Sequence, residues 1–346
     1  MNFKKLKRKC SFLLAFLLMI TALLLPTAAS EKERPTLLVG GIPFGVRFFT
    51  DGILVVDYCD VEYCGSSHNP AREAGLKPGD CIYQINEQTI VTASELAEAI
   101  EKSGSGALTL FYRRDGKEQS VTLTPLPCDR DGRLRTGLFV RDSGAGIGTV
   151  TFVTEQNLFG GLGHGICDGE SGTLIPMARG SVMGVTIGSL KRGAAGAPGE
   201  LKGHLSAGKT GSLTQNTACG VFGAFAERPS LPAGAMPIAY RDELHDGAVT
   251  LWCTLDDNTP REYSAEISAI QRGAEGNKCF TVHITDRALL EKTGGIIQGM
   301  SGSPIVQDGH LVGAVTHVLI GDPTTGYGIF IENMLNAAQM PLAKAS

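Results

Sequence analysis

The number and spread of the glycines constrain the fold of this chain more than any other feature. Forty-five of the 346 residues are glycine, against roughly 7% in an average protein. In the second half they are spread without a short period, which excludes a collagen-like or low-complexity chain. Because glycine adopts positive φ at little steric cost, the pattern predicts many tight turns between short strands.

Length and charge narrow the class of protein further. At roughly 100–200 residues per domain, the chain is long enough for two folded domains. The net charge is −4 at pH 7, and 19% of the residues are charged. Without a basic or acidic excess, the composition does not indicate a nucleic-acid partner.

Residues 1–30 have the features of an export segment. Five basic residues lie among the first nine, an uncharged run covers residues 12–25, and small residues follow. The run is shorter than the ~20 residues that span a bilayer as a helix, and this order is typical of a secretory signal. We therefore predict a signal peptide or signal anchor, and a location outside the cytoplasmic membrane. Cleavage after Ala28 or Ala29 and retention as a membrane anchor both stay open.

Residues 37–126 are predicted to form a peptide-binding domain. The run Ala-Gly-Leu-Lys-Pro-Gly-Asp at 74–80 precedes an alternating strand, and Thr92 can cap a helix over 93–102. This combination resembles the PDZ family. The resemblance implies a groove between that helix and one strand, in which an extended peptide adds by main-chain pairing.

The carboxylate of such a peptide is held by backbone N–H groups in the PDZ family. We expect that site in the glycine-rich loop that precedes the first strand, around Gly41, Phe44 and Val46. Pro43 within this loop removes one donor. The alternative is that the PDZ domain only packs against its neighbour.

Residues 128–346 are predicted to form a second, mostly β domain. A polar, turn-rich segment at 126–132 is predicted to be a linker, and beyond it short apolar runs alternate with glycine turns. Two short helices are expected, over 288–293 and 332–339. This pattern is typical of a β-barrel or sandwich.

Two glycine-bracketed motifs carry the chemistry of this half. Gly-Met-Ser-Gly-Ser-Pro at 299–304 precedes a strand, as the nucleophile motif of chymotrypsin-like serine peptidases does. Ser301 is the predicted nucleophile, and the N–H groups of Gly299 and Ser301 are predicted to form the oxyanion hole. His164, between Gly163 and Gly165, is the predicted general base. Such a pair needs no cofactor and no metal ion.

Other candidate residues are weaker. Ser303 is disfavoured as nucleophile because Pro304 follows it. His283 and His317 are expected to be structural residues of strands. Cys59 and Cys64, with the nearby His68, lack a fourth zinc ligand, and a Cys59–Cys64 disulfide is the alternative. The other cysteines in apolar runs are expected to be buried free thiols.

Taken together, these features resemble the SpoIVB peptidase family of spore-forming bacteria over nearly the whole chain. The segments that carry the resemblance are 141–149, 162–164, 196–200, 284–304, 313–318 and 322–328. It implies a PDZ domain followed by a chymotrypsin-like double β-barrel, with few helices. It also implies a catalytic triad of His164, Asp286 and Ser301.

The residue-level interpretation of Asp286 differs from the one implied by the family. Asp286 precedes a helical segment and can act as its N-cap, and it lies only fifteen residues before Ser301. In a two-barrel peptidase the acid usually lies in the same barrel as the histidine. Asp168, four residues after His164, is the second candidate for the acid.

The family resemblance also implies a biological role. It places the enzyme between the two membranes of a forespore, where it cleaves a membrane-protein partner and starts processing of a mother-cell sigma factor. Self-cleavage near the N-terminus, with the PDZ groove holding another copy, is a further hypothesis. The alternatives are an inactive PDZ tethering protein and a broad HtrA-like quality-control protease. In the HtrA family, however, the PDZ domain usually follows the peptidase.

Overall fold

A computed structural model describes residues 34–169 and 172–340 of the chain. The predicted export segment lies outside these residues. Most of the described residues are in strands, and they form two closed barrels and a PDZ module, which confirms the predicted fold class. None of the helices in the described ranges is long and apolar enough to cross a bilayer.

The elements of the first part of the chain belong to one barrel and to the PDZ module. They are β1 (Thr36–Val39), β2 (Pro43–Tyr58), β3 (Val61–Tyr63), β4 (Ser66–His68), α1 (Pro70–Glu73), β5 (Cys81–Ile85), β6 (Gln88–Thr89), α2 (Ala93–Lys102), β7 (Leu108–Arg114), β8 (Lys117–Leu123), β9 (Leu126–Pro127) and β10 (Leu134–Arg135).

The remaining elements complete this barrel and build a second one. They are β11 (Leu138–Val153), β12 (Leu158–Gly161), β13 (Met177–Lys191), β14 (Glu200–Thr217), β15 (Gly220–Phe225), β16 (Ala235–Pro237), β17 (Gly247–Cys253), β18 (Arg261–Ser268), β19 (Phe280–Ile284), α3 (Arg287–Thr293), β20 (Pro304–Gln307), β21 (His310–Leu319), β22 (Asp322–Phe330) and α4 (Ile331–Ala337).

The first barrel is a ring of six antiparallel strands. The pairings run β2–β11–β12–β15–β14–β13, and β13 pairs back with β2. Inward-facing apolar side chains fill it, among them Phe44, Val46, Val150 and Phe159. The rings of Phe44 and Phe159 meet edge to face at 5.5 Å. The alternation of apolar residues along these strands is what a small filled barrel requires.

The PDZ module is inserted into this barrel. The second half of β2 leaves the barrel and pairs with β5. The chain returns along β11, whose residues 138–149 pair with β2 from one end of β2 to the other. Helix α2 begins at a capping box of Thr92 and Glu95 and covers the core with Leu96 and Ile100. The boundary predicted at residue 37 therefore differs from the observed one, since β1 pairs with β11 and residues 43–50 of β2 lie in the barrel.

The second barrel is formed by the last six strands, in the order β17–β18–β19–β22–β21–β20, and it is closed. Helix α3 follows β19, and α4 follows β22. The loop between α3 and β20 carries Ser301, and it is hydrogen-bonded to β11 of the first barrel.

Candidate active site

Ser301 lies on a tight turn in the loop before β20. Its neighbours Gly299 and Gly302 have φ of 98° and 93°, which L side chains rarely adopt. A Cβ on Gly302 would also lie 2.1 Å from the carbonyl oxygen of Thr149. Ser301 is partly exposed, whereas Ser303 is fully buried. Of the two serines in the motif, only Ser301 is accessible to a substrate.

The turn leaves two N–H groups free. The N–H of Met300 donates to Ile297 O at 3.1 Å, and that of Gly302 donates to Val315 O at 2.8 Å. In the described part of the chain the N–H groups of Gly299 and Ser301 have no acceptor. They are the two donors predicted to form the oxyanion hole, and both are available to a developing oxyanion.

Two threonines of β11 hold this turn from the opposite barrel. The backbone N–H of Thr149 donates to Ser301 O at 2.9 Å, and its hydroxyl donates to Gly299 O at 2.8 Å. The hydroxyl of Thr151 donates to Gly302 O at 2.7 Å. These bonds fix the carbonyls on both sides of Ser301. These two threonines were not identified from the sequence. The only feature in the sequence that marks them is their spacing of two residues, which places both on one face of a strand.

His164 lies in the turn that follows β12. Its Nδ1 is 2.8 Å from Gly165 O, and this contact assigns the proton to Nδ1 and the lone pair to Nε2. Burial lowers the pKa of His164 below its usual 6.5, and the hydrogen bond to Gly165 opposes that shift in part. The imidazole is therefore neutral at pH 7 and can accept a proton at Nε2.

His164 and Ser301 line one cavity of about 290 Å³ between the barrels. Among the residues that the structure describes, the rest of the lining is mostly apolar, with Gln298 as the one amide side chain and no Asp, Glu, Lys or Arg. The Ser301 hydroxyl donates to Thr316 O at 2.8 Å. A rotation of the Ser301 side chain must therefore precede proton transfer to His164.

The structure does not bring Asp286 to His164. One carboxylate oxygen of Asp286 accepts from Leu289 N at 2.9 Å, which makes it the N-cap of α3, and the other accepts from Ser264 N at 3.3 Å. In the described ranges no hydrogen bond joins it to His164. The N-cap interpretation is confirmed, and the catalytic role of Asp286 stays a prediction.

Asp168 lies in the same loop as His164 but has its own partner. It is buried, and its carboxylate is 3.3 Å from the guanidinium of Arg141 on β11. This ion pair ties the histidine loop to β11, close to where that strand leaves the PDZ module.

The predicted carboxylate site of the PDZ module was misplaced. Phe44 and Val46 are buried in the core of the first barrel, and Gly41 packs against Trp252 of the second. The cause is the insertion of the PDZ module, because the first half of β2, which carries Phe44 and Val46, belongs to the barrel. A groove of about 490 Å³ lies between α2 and residues 133–135. The start of β11 also contacts α2.

His283 and the cysteines can be compared with their predictions. His283 is exposed on β19 and contacts the Thr325 hydroxyl at 3.1 Å, as a structural residue of a strand would. Cys59 and Cys64 are both exposed and free.

Two family models match the chain. The family model for SpoIVB peptidase S55 matches residues 132–335, and a PDZ domain model matches residues 64–114. Serine protease HTRA1 of Xenopus laevis is 43% identical over 56 residues, 16% of this chain and 12% of that protein. Putative serine protease HhoB of Synechocystis sp. is 30% identical over 106 residues, 30% of this chain and 24% of that protein. The chain thus spans less than a quarter of the length of these relatives.

Among solved structures, the HtrA-type protease AlgW with a decapeptide is 15% identical, with a TM-score of 0.35, over 59% of this chain and 53% of that one. The PDZ domain of an SdrC-like protein from Listeria monocytogenes is 20% identical, with a TM-score of 0.22, over 26% of this chain and 87% of that one. With the S55 match covering more than half of its length, this PDZ-containing serine endopeptidase belongs to the SpoIVB peptidase S55 family.

Proposed function

We propose that this enzyme cleaves a membrane-associated protein partner, and itself, in a signalling step like that of SpoIVB in sporulation. In that step, cleavage of the partner starts processing of a mother-cell sigma factor. The observation that carries the proposal is that Ser301 and His164 line one cavity, within a segment that matches the S55 family.

The chemistry assigned to each group follows from its position. Ser301 attacks the scissile carbonyl after its hydroxyl leaves Thr316 O, and His164 Nε2 takes the proton. The N–H groups of Gly299 and Ser301 bind the oxyanion, and His164 then returns the proton to the leaving amine. Neither step requires a metal ion or a cofactor.

The proposed substrate class rests on the PDZ module and on the N-terminus. A PDZ groove binds extended peptide segments, so the partner is a protein or peptide. The basic and apolar segment at residues 1–30 supports export across the cytoplasmic membrane and contact with membrane-bound partners.

Labelling of residues 31–346 with a fluorophosphonate probe tests the proposed chemistry, because such probes react only with an activated serine. The wild type should label, and the Ser301→Ala and His164→Ala variants should not. Ser303→Ala is the matched control, since Ser303 is buried two residues away and should leave labelling intact. An unlabelled wild type would favour an inactive tethering protein instead.

Self-cleavage has a separate test. Purified Ser301→Ala protein is mixed with wild type, and its N-terminal region should be cut only when wild type is present. In cells that lack the wild type, normal N-terminal processing of the Ser301→Ala protein would count against self-cleavage. Rapid degradation of casein by the wild type would favour broad quality-control proteolysis over a narrow signalling role.

A further inference from the structure

His317 lies against the catalytic pair, although its sequence context indicates an ordinary strand residue. The ring centroids of His317 and His164 are 4.8 Å apart, with the planes tilted by 36°. The preceding residue, Thr316, accepts the Ser301 hydroxyl through its carbonyl at 2.8 Å. Two consecutive residues of β21 thus contact both members of the catalytic pair.

A β-bulge produces this arrangement. Between Val315 and His317 the pairing of β21 with β22 shifts register, from Val315 opposite Gly328 to His317 opposite Tyr327. Bulges bend a strand and redirect a side chain, and they are frequent beside active sites. The bulge points the carbonyl of Thr316 at Ser301 and the ring of His317 at His164.

Stability of the fold does not account for His317. Its Nδ1 is buried and has no hydrogen-bond partner among the described residues. A buried polar atom without a partner destabilises a folded protein, so an apolar ring of similar size would suit the fold better. The other groups that act electrostatically on the imidazole are His164 and Lys278, and neither is an anion.

We propose that His317 is a positioning residue, which orients the His164 imidazole and stabilises it once it has become an imidazolium. The inference rests on the serine-peptidase function proposed above. The face of a Trp, Tyr or Phe ring attracts a cation within about 6 Å of its centroid, and in this proposal the neutral ring of His317, 4.8 Å from that of His164, acts in the same way. Gly165 O already fixes the Nδ1 proton of His164, so the tautomer needs no carboxylate, and the ring of His317 supplies a supporting face.

The test compares three variants of residues 31–346 by the rate of fluorophosphonate labelling across pH, together with their thermal unfolding. His317→Ala removes the ring and should slow labelling about tenfold, equivalent to about 1.4 kcal/mol. His317→Phe keeps the ring and should label within about threefold of wild type, with equal or higher thermal stability. His317→Lys places a cation beside His164, should slow labelling by roughly 100-fold or more, and should move the acid limb of the pH profile to lower pH.

The outcomes separate this inference from the proposed function. If the wild type does not label, the peptidase function itself fails. If the wild type labels and His317→Ala labels equally fast, the inference is overturned. It is also overturned if His317→Phe, while folded, is as slow as His317→Ala. A loss of labelling only in proportion to lost thermal stability would show a structural role alone.

Discussion

Substitution of Asp286 separates a helix cap from a catalytic acid. Asp286→Asn keeps an N-cap, because asparagine caps helices as well as aspartate does, and it removes the negative charge. If the carboxylate only caps α3, labelling should stay within a few-fold of wild type. If it oriented His164, an uncharged amide should cost on the order of 10⁴-fold in kcat, as for a triad acid.

Asp286→Ala gives the complementary measurement. The variant loses the bonds from Leu289 N and Ser264 N. Loss of a cap costs about 1 kcal/mol, and the second, longer bond adds at most about 1 kcal/mol. The free energy of unfolding from urea titration should therefore fall by about 1–2 kcal/mol, while the folded protein keeps its labelling rate.

Thr92→Ala is the matched control for Asp286→Ala. It removes the N-cap bond of α2, in which the Thr92 hydroxyl accepts from Glu95 N at 3.2 Å. This helix belongs to the PDZ module and not to either barrel. It should destabilise by about 1 kcal/mol without slowing labelling. A 10⁴-fold loss in Asp286→Asn, with an unchanged free energy of unfolding, would refute the cap-only role and establish the triad.

Three further predictions concern the nucleophile loop and its surroundings. Thr149→Val removes the hydroxyl bond to Gly299 O while keeping the side-chain shape, so labelling should slow about tenfold; an unchanged rate would show that the loop needs no support. Gly302→Ala combines φ of 93° with a 2.1 Å contact to Thr149 O, and circular dichroism should show a lower melting temperature; wild-type melting would contradict the contact. Burial lowers the pKa of His317 to about 4 from 6.5, so between these values the unfolded chain binds the extra proton. Stability should therefore decrease as the pH is lowered from 6.5 to 4, by up to about 1.4 kcal/mol per pH unit, and urea midpoints of His317→Phe should be less sensitive to pH.

The sequence predicts those parts of the site that depend on local geometry. A serine between glycines, followed by a strand, can adopt few backbone conformations, and Ser301 lies on the predicted turn with two free N–H groups. The cap of α2 was likewise predictable, because a capping box depends on residues three positions apart. In both cases the determining contacts lie within a few residues.

Features of the fold that depend on long-range strand pairing could not be predicted from the sequence. Phe44 and Val46 have the alternation of any half-buried strand, and nothing local distinguishes a PDZ strand from a barrel strand. Their place in the barrel depends on β11, about a hundred residues later in the chain. The same holds for His317, whose contact with His164 is set by a bulge opposite Tyr327.

Because of the insertion, β11 contacts both the PDZ module and the active site. The first residues of this strand lie beside α2, and Arg141 then pairs with Asp168 in the histidine loop. Further along, Thr149 bonds to the carbonyls of Gly299 and Ser301. A domain attached through a flexible linker could move without disturbing the active site. Here, β11 is paired with β2 of the PDZ module, hydrogen-bonded to the turn of Ser301 and ion-paired with the histidine loop, so one continuous strand joins the module to the active site.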